Sequence, residues 1–138
     1  MPQVWSKKLR QQADSAWEKK LAEQLCDNTN VSFHADSITY TKPATDHVYH
    51  PDFTVMLKDE IIYLEAKGRF RDMLEAKKYI HIRDSLDENE SLVFIFQNPA
   101  TPLPGARRRK DGTKRSHADW ASANNFEWYT AATIEDLL

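Results

Sequence analysis

The chain has 138 residues, 41% of them hydrophobic, with four Trp and a formal net charge of −2, a composition that suits one compact domain with its own core and carries no global signature of nucleic-acid binding. Its single cysteine, Cys26, excludes an internal disulfide and points to a reducing compartment. No apolar stretch is long enough for a membrane span and the N-terminus lacks the apolar core of a signal peptide, so the cytoplasm is the expected location.

In chain order, a helical piece is compatible with Trp5 to Gln12, and a first firm helix is expected from about Ser15 to Cys26. Trp17, Leu21 and Leu25 have helical spacing there, and Ser15-Ala16-Trp17-Glu18 reads as a capping box. Extended segments follow near Val31 to Tyr40, then two β-rich runs, Phe53 to Leu57 and Ile61 to Ala66, around the polar Lys58-Asp59-Glu60. Arg71 to Leu86 reads as a second helix, with Met73, Leu74, Ile80 and Ile82 available for burial. Ser91 to Phe96 is apolar enough for a central strand. A short helix near His117 to Ala123, a strand at Phe126 to Tyr129 and a last helix begun at Thr133 complete one mixed α/β domain.

The two β-rich runs determine the chemistry. A tight loop at Lys58-Asp59 pairs Phe53 with Leu64 and Val55 with Ile62, which makes one continuous apolar face. The same register sets Asp52 opposite Glu65 and gathers His50, Asp52, Glu65 and Lys67 on the other face. A slip of one residue separates the two acids and breaks the apolar alignment, so hydrophobicity and chemistry select the same pairing.

Two carboxylates held close on rigid strands can bind Mg²⁺ or Mn²⁺, hard ions that prefer oxygen ligands and keep waters for a substrate phosphate. A lysine one pleat from Glu65 can position a nucleophile and stabilise developing negative charge. On the motif alone, an exposed salt-bridged strand face explains the same residues. The Gly105–Arg115 segment concentrates Arg107, Arg108, Arg109, Lys110, Lys114 and Arg115 after Pro99, Pro102 and Pro104; by charge alone it is either a phosphate-contacting loop or a solvated one. His34, His47, His50, His81 and His117 are scattered without zinc spacing, Cys26 has no nucleophile context, and there is no Gly-rich nucleotide loop.

His47-Val48-Tyr49-His50-Pro51-Asp52-Phe53 followed by Tyr63-Leu64-Glu65-Ala66-Lys67-Gly68 resembles the phage endonuclease I family of Holliday-junction resolvases, within the PD-(D/E)xK nuclease superfamily. The likeness continues through Trp17-Glu18-Lys19-Lys20-Leu21, Tyr79-Ile80-His81-Ile82-Arg83, Val93-Phe94 and Asp119-Trp120, over nearly the whole chain. It implies a restriction-endonuclease-like core, a mixed central sheet flanked by helices, and Mg²⁺-dependent cleavage of four-way junctions and other branched DNA, with Mn²⁺ as a substitute and two ions per site. The metal-binding positions it implies are Asp52, Glu65, the Ala66 carbonyl and Glu18, with Lys67 as catalytic lysine. It further implies a domain-swapped homodimer with an extended bridge near residues 40–46, in which case Glu18 reaches the site from the partner subunit. The DNA contacts expected are the basic loop, the N-terminal Lys7, Lys8 and Arg10, and His50. The chain departs from the family pattern in lacking a basic tail before Leu138 and in its Pro-rich approach to Arg107, which implies a different junction affinity.

Overall fold

The computed structural model describes residues 16–34, 36–42 and 45–138. Helix α1 spans Ala16–Leu25, and the capping Ser15 expected before it lies outside the described residues, as do Lys7, Lys8, Arg10 and the piece from Trp5 to Gln12. Strands β1 (Val31–Phe33), β2 (Ile38–Lys42), β3 (Thr45–Tyr49), β4 (Phe53–Leu57) and β5 (Glu60–Lys67) follow. Helix α2 (Met73–Asp84) then leads to β6 (Glu90–Phe96), α3 (His117–Ala123), β7 (Trp128–Tyr129) and a 3₁₀ turn at Ile134–Asp136.

A five-stranded mixed sheet runs in the order β1-β4-β5-β6-β7. The β4–β5 ladder pairs Phe53 with Leu64 and Val55 with Ile62, the register expected from alternation of apolar residues. β5 and β6 are parallel, as are β6 and β7, so α2 and α3 serve as the crossovers such pairs require. β2 and β3 form a separate antiparallel hairpin, pairing Ile38 with Tyr49 and Tyr40 with His47. The segment expected as a bridge, residues 40–46, falls within this strand pair, with residues 43 and 44 outside the described residues.

Both faces of the sheet are covered. Phe53, Val55, Ile62, Leu64, Val93 and Ile95 pack with Leu21, Ala22 and Leu25 of α1 and with Ile134. On the opposite face Tyr63, Leu92, Phe94 and Phe96 pack with Ala76, Tyr79 and Ile82 of α2, Trp120 and Ala121 of α3, and Tyr40 and Tyr49 of the hairpin. One expectation fails: Met73 and Leu74 are 39% and 76% exposed. The buried stripe of α2 is Ala76, Tyr79 and Ile82, and at about 100° per residue Leu74 points away from it.

His117 fastens α3 beneath the end of β5. It is fully buried, its Nε2 accepts from the Phe70 N–H at 2.8 Å, and its Nδ1 lies 2.7 Å from the Thr101 carbonyl. These partners require the neutral ring with hydrogen on Nδ1. Burial accordingly lowers the pKa below the ordinary 6.5. A depressed histidine pKa stabilises the fold above the unfolded value and loses that contribution as pH falls toward the folded value. The stability gap between wild type and His117→Gln, measured by denaturant titration, should thus be widest above pH about 6.5 and narrow on acidification.

Candidate active site

Four elements converge at the C-terminal end of β5. Asp52 enters β4, and its Oδ2 accepts from the Ala66 N–H at 2.9 Å, which ties it to the strand carrying Glu65. The side chains of Asp52 and Glu65 are only 13% and 9% exposed. Glu65 receives the hydroxyl of Tyr49 on Oε1 at 2.5 Å and that of Tyr79 on Oε2 at 3.1 Å. The Lys67 ammonium lies 3.7 Å from Glu65 Oε2 and 3.6 Å from Glu75 Oε2, and 5.3 Å from the centre of the Tyr79 ring.

The electrostatics follow from crowding acids in a dry place. Burial first, then the charges of Glu65 and Glu18, push the Asp52 carboxyl up from 3.8 to about 9, against the opposing pull of the Ala66 N–H. Burial beside the same acids raises Tyr49 and Tyr79 well above the usual phenol range, so both stay as hydroxyl donors. Lys78 is lowered by burial and then by Lys67, against the pull of Glu65, and its ammonium sits 4.9 Å from the Tyr79 ring centre.

Asp52, Glu65 and Lys67 are thus brought together, and Glu18 of the same chain is close enough that its charge acts on Asp52. His50 is exposed and turns its Nδ1 toward the Asp36 carbonyl at 3.4 Å. Four participants carried no sequence signal read as chemistry: Tyr49, Glu75, Lys78 and Tyr79. The three on α2 share one flank of the helix at spacings of three and four, a pattern indistinguishable in sequence from an amphipathic core stripe. His34, read as scattered, places Nε2 3.9 Å from Asp52 Oδ1 because β1 pairs Phe33 with Phe53 and leaves residue 34 beside 52.

Among the described residues no three His, Cys, Asp or Glu side chains converge as a complete metal cage. Two carboxylates suit a hard dication that keeps several waters. A buried acid whose ionisation is disfavoured, as that of Asp52 is, is also a group whose charge a dication relieves.

The basic segment is an ordered hairpin. Arg108 bridges Lys114 and Pro102 bridges Ser116 in antiparallel fashion. The tip is closed by Arg109 N–H to Thr113 O at 2.6 Å and by the Asp111 carboxylate, which accepts from Thr113 N–H at 2.9 Å; Gly112 supplies the positive φ of 87°. Arg109 is bound to Asp119 of α3 at 2.8 Å, and Arg108 Nη1 donates to the Gly112 carbonyl at 2.7 Å. All six cations remain exposed, and Arg108, Thr113, Lys114 and Ser116 line a groove of about 600 Å³.

Two stability outcomes follow. Asp52→Asn keeps an acceptor for the Ala66 N–H and removes the cost of holding a buried carboxyl out of its ionised form, so thermal melting in chelator should show a gain of about 1–2 kcal/mol at neutral pH. Tyr49→Phe removes a buried donor to a carboxylate and should cost about 1.5–3 kcal/mol in the same measurement.

No curated protein matches the chain. Among solved structures, protein VC1899 from Vibrio cholerae superposes with a TM-score of 0.55 at 14% identity, over 96% of this chain and 34% of that one. The chain spans about a third of that protein's length, and the likeness is one of fold. The family model for phage endonuclease I matches residues 1–133, which includes both strands of the site, the helix bearing Glu18 and the basic hairpin. The chain belongs to the phage endonuclease I family.

Proposed function

We propose that the protein is a Mg²⁺-dependent, structure-selective DNA endonuclease with a PD-(D/E)xK core, which hydrolyses phosphodiester bonds at four-way junctions and other branched DNA. The observation that carries this reading is the burial of Asp52 beside Glu65 with the Lys67 ammonium 3.7 Å away. A plain structural ion pair has no need of a second buried carboxylate that repels the first.

Asp52, Glu65, the Ala66 carbonyl and Glu18 are the groups that would hold the ions, two per site, with Mn²⁺ able to substitute. Bound there, a dication neutralises the scissile phosphate and lowers the pKa of a water for attack. The protein's own contribution is positional. Tyr49 and Tyr79 grip both oxygens of Glu65 and orient its remaining lone pairs. Glu75 holds the Lys67 ammonium beside Glu65, where it can orient the attacking water and stabilise charge growing on the phosphate oxygens.

Binding is assigned to the exposed hairpin cations Arg107, Arg108, Arg109, Lys110, Lys114 and Arg115, with His50 and the N-terminal Lys7, Lys8 and Arg10. Phosphate contacts register the substrate without reading bases, so selectivity rests on the shape of the branch point and sequence preference is weak. A domain-swapped homodimer, exchanging elements through residues 40–46, would present paired sites to the two related strands of a junction. For a phage-encoded protein the setting is the host cytoplasm.

The test uses purified protein with a labelled four-way junction and a linear duplex of the same sequence, in Mg²⁺, Ca²⁺ or chelator. Junction-selective cutting in Mg²⁺ alone is expected; equal cutting of both substrates makes it a general nuclease, and binding with no cutting by any metal makes it a silent branch-binding module. Asp52→Asn and Lys67→Ala should abolish cutting and leave junction binding intact. In a salt titration of binding, Lys114→Ala should lower the slope of log affinity against log salt by about one, as expected for one lost phosphate contact.

A further inference from the structure

Leu74 and Met73 are 76% and 39% exposed in the first turn of α2. They adjoin Glu75, whose carboxylate lies 3.6 Å from the Lys67 ammonium, so this apolar pair stands at the rim of the candidate active site. Asp72 and Glu75 flank it in sequence, Asp72 paired to Arg71 at 3.5 Å, and cations stand beyond them on both sides. Arg69, Arg71 and Lys77 are exposed, and the Arg71 side chain is 79% exposed. Lys77 and Lys78 follow Leu74 by three and four residues and flank it on the helix surface. Lys78 links the rim to the interior: its charge is felt with those of Glu65 and Lys67, and its ammonium covers the Tyr79 ring at 4.9 Å.

An exposed leucine by itself needs no explanation. An exposed apolar pair with Arg69 and Arg71 before it and Lys77 and Lys78 after it has a more specific meaning, because lysines and arginines draw a polyanion whose only apolar surfaces are its base faces. Proteins that hold distorted DNA insert Leu, Met or Phe against an opened base step while cations neutralise the flanking phosphates. A fully paired linear duplex opens such a face only by breaking a continuous stack; a branch point, where strands pass between helices, opens it at lower cost.

We infer that Leu74, supported by Met73, is a wedge that packs on an unstacked base at the branch point, with Arg69, Arg71, Lys77 and Lys78 on the adjoining phosphates. This rests on the reading of the protein as a branched-DNA endonuclease, and it names the part of that substrate which selects the branch. The wedge stands next to the cutting machinery, so recognising the distortion and placing the scissile phosphate become one event.

Leu74→Ala tests it in the full-length protein, since an exposed side chain on a helix can be truncated without unfolding the core. In Ca²⁺, where binding is read without cutting, Leu74→Ala should weaken junction binding about tenfold and leave linear-duplex binding within about twofold. A fluorescent aminopurine beside the branch point should brighten on wild-type binding and brighten less with Leu74→Ala at saturation. Full junction preference and full brightening retained by Leu74→Ala overturn the wedge and leave the nuclease reading standing. A fall in mass by light scattering in Leu74→Ala overturns it in favour of a contact between two copies of the chain. Wild-type protein that does not prefer the junction removes the branched-substrate reading and the wedge together.

Discussion

The pairing of β4 with β5 is the constraint on which the rest depends. Its register puts Phe53, Val55, Ile62 and Leu64 into one core, beneath α1, and sends Glu65 and Lys67 to the other side. The entry to β4 is held by the same ladder, because the Asp52 carboxylate accepts from Ala66, one residue past Glu65. Sliding one strand by one residue would turn the apolar set outward and part the acids. Core packing thus enforces the geometry of the polar site, and the site needs no separate scaffold.

That site works against the fold that holds it. Asp52 is driven to a pKa of about 9 by burial and by neighbouring acids, which at neutral pH opposes its charged form. The linkage has one sign: a carboxyl whose folded pKa is raised stabilises the protein below the unfolded value and loses that contribution as pH rises toward the folded one. Two tyrosine hydroxyls and the Lys67 ammonium surround Glu65, while Asp52 has the Ala66 N–H, whose pull does not outweigh burial and the neighbouring acids.

The basic hairpin holds two of its cations in contacts within the protein and leaves the others exposed. Arg109 is tied to Asp119 on α3, and Arg108 closes its own turn through Gly112. Arg107, Lys110, Lys114 and Arg115 remain exposed around that frame. α3 is itself anchored by the buried His117, whose Nε2 accepts from Phe70 in the segment after Lys67. One chain of contacts therefore runs from the hairpin through α3 to the end of β5.

Local pattern was enough to find α1, α2, the β4–β5 register, the central β6 and the short α3, because each depends on periodicity and on neighbours close in sequence. The acid pair with its lysine was legible for the same reason: two adjoining strands contain it. Tyr49, Glu75, Lys78, Tyr79 and His34 were not, since they lie outside the β4–β5 pair and meet the acids only after the hairpin, α2 and β1 have docked. Nor could composition show that Met73 and Leu74 would be left outside; that depends on which stripe of α2 faces the sheet, and Ala76, Tyr79 and Ile82 take it. The sequence by itself determined which strand residues share a face, because alternation along a strand is a local property. Tertiary structure alone decided which side chains surround that face and which stay in solvent, because those are properties of how whole elements pack.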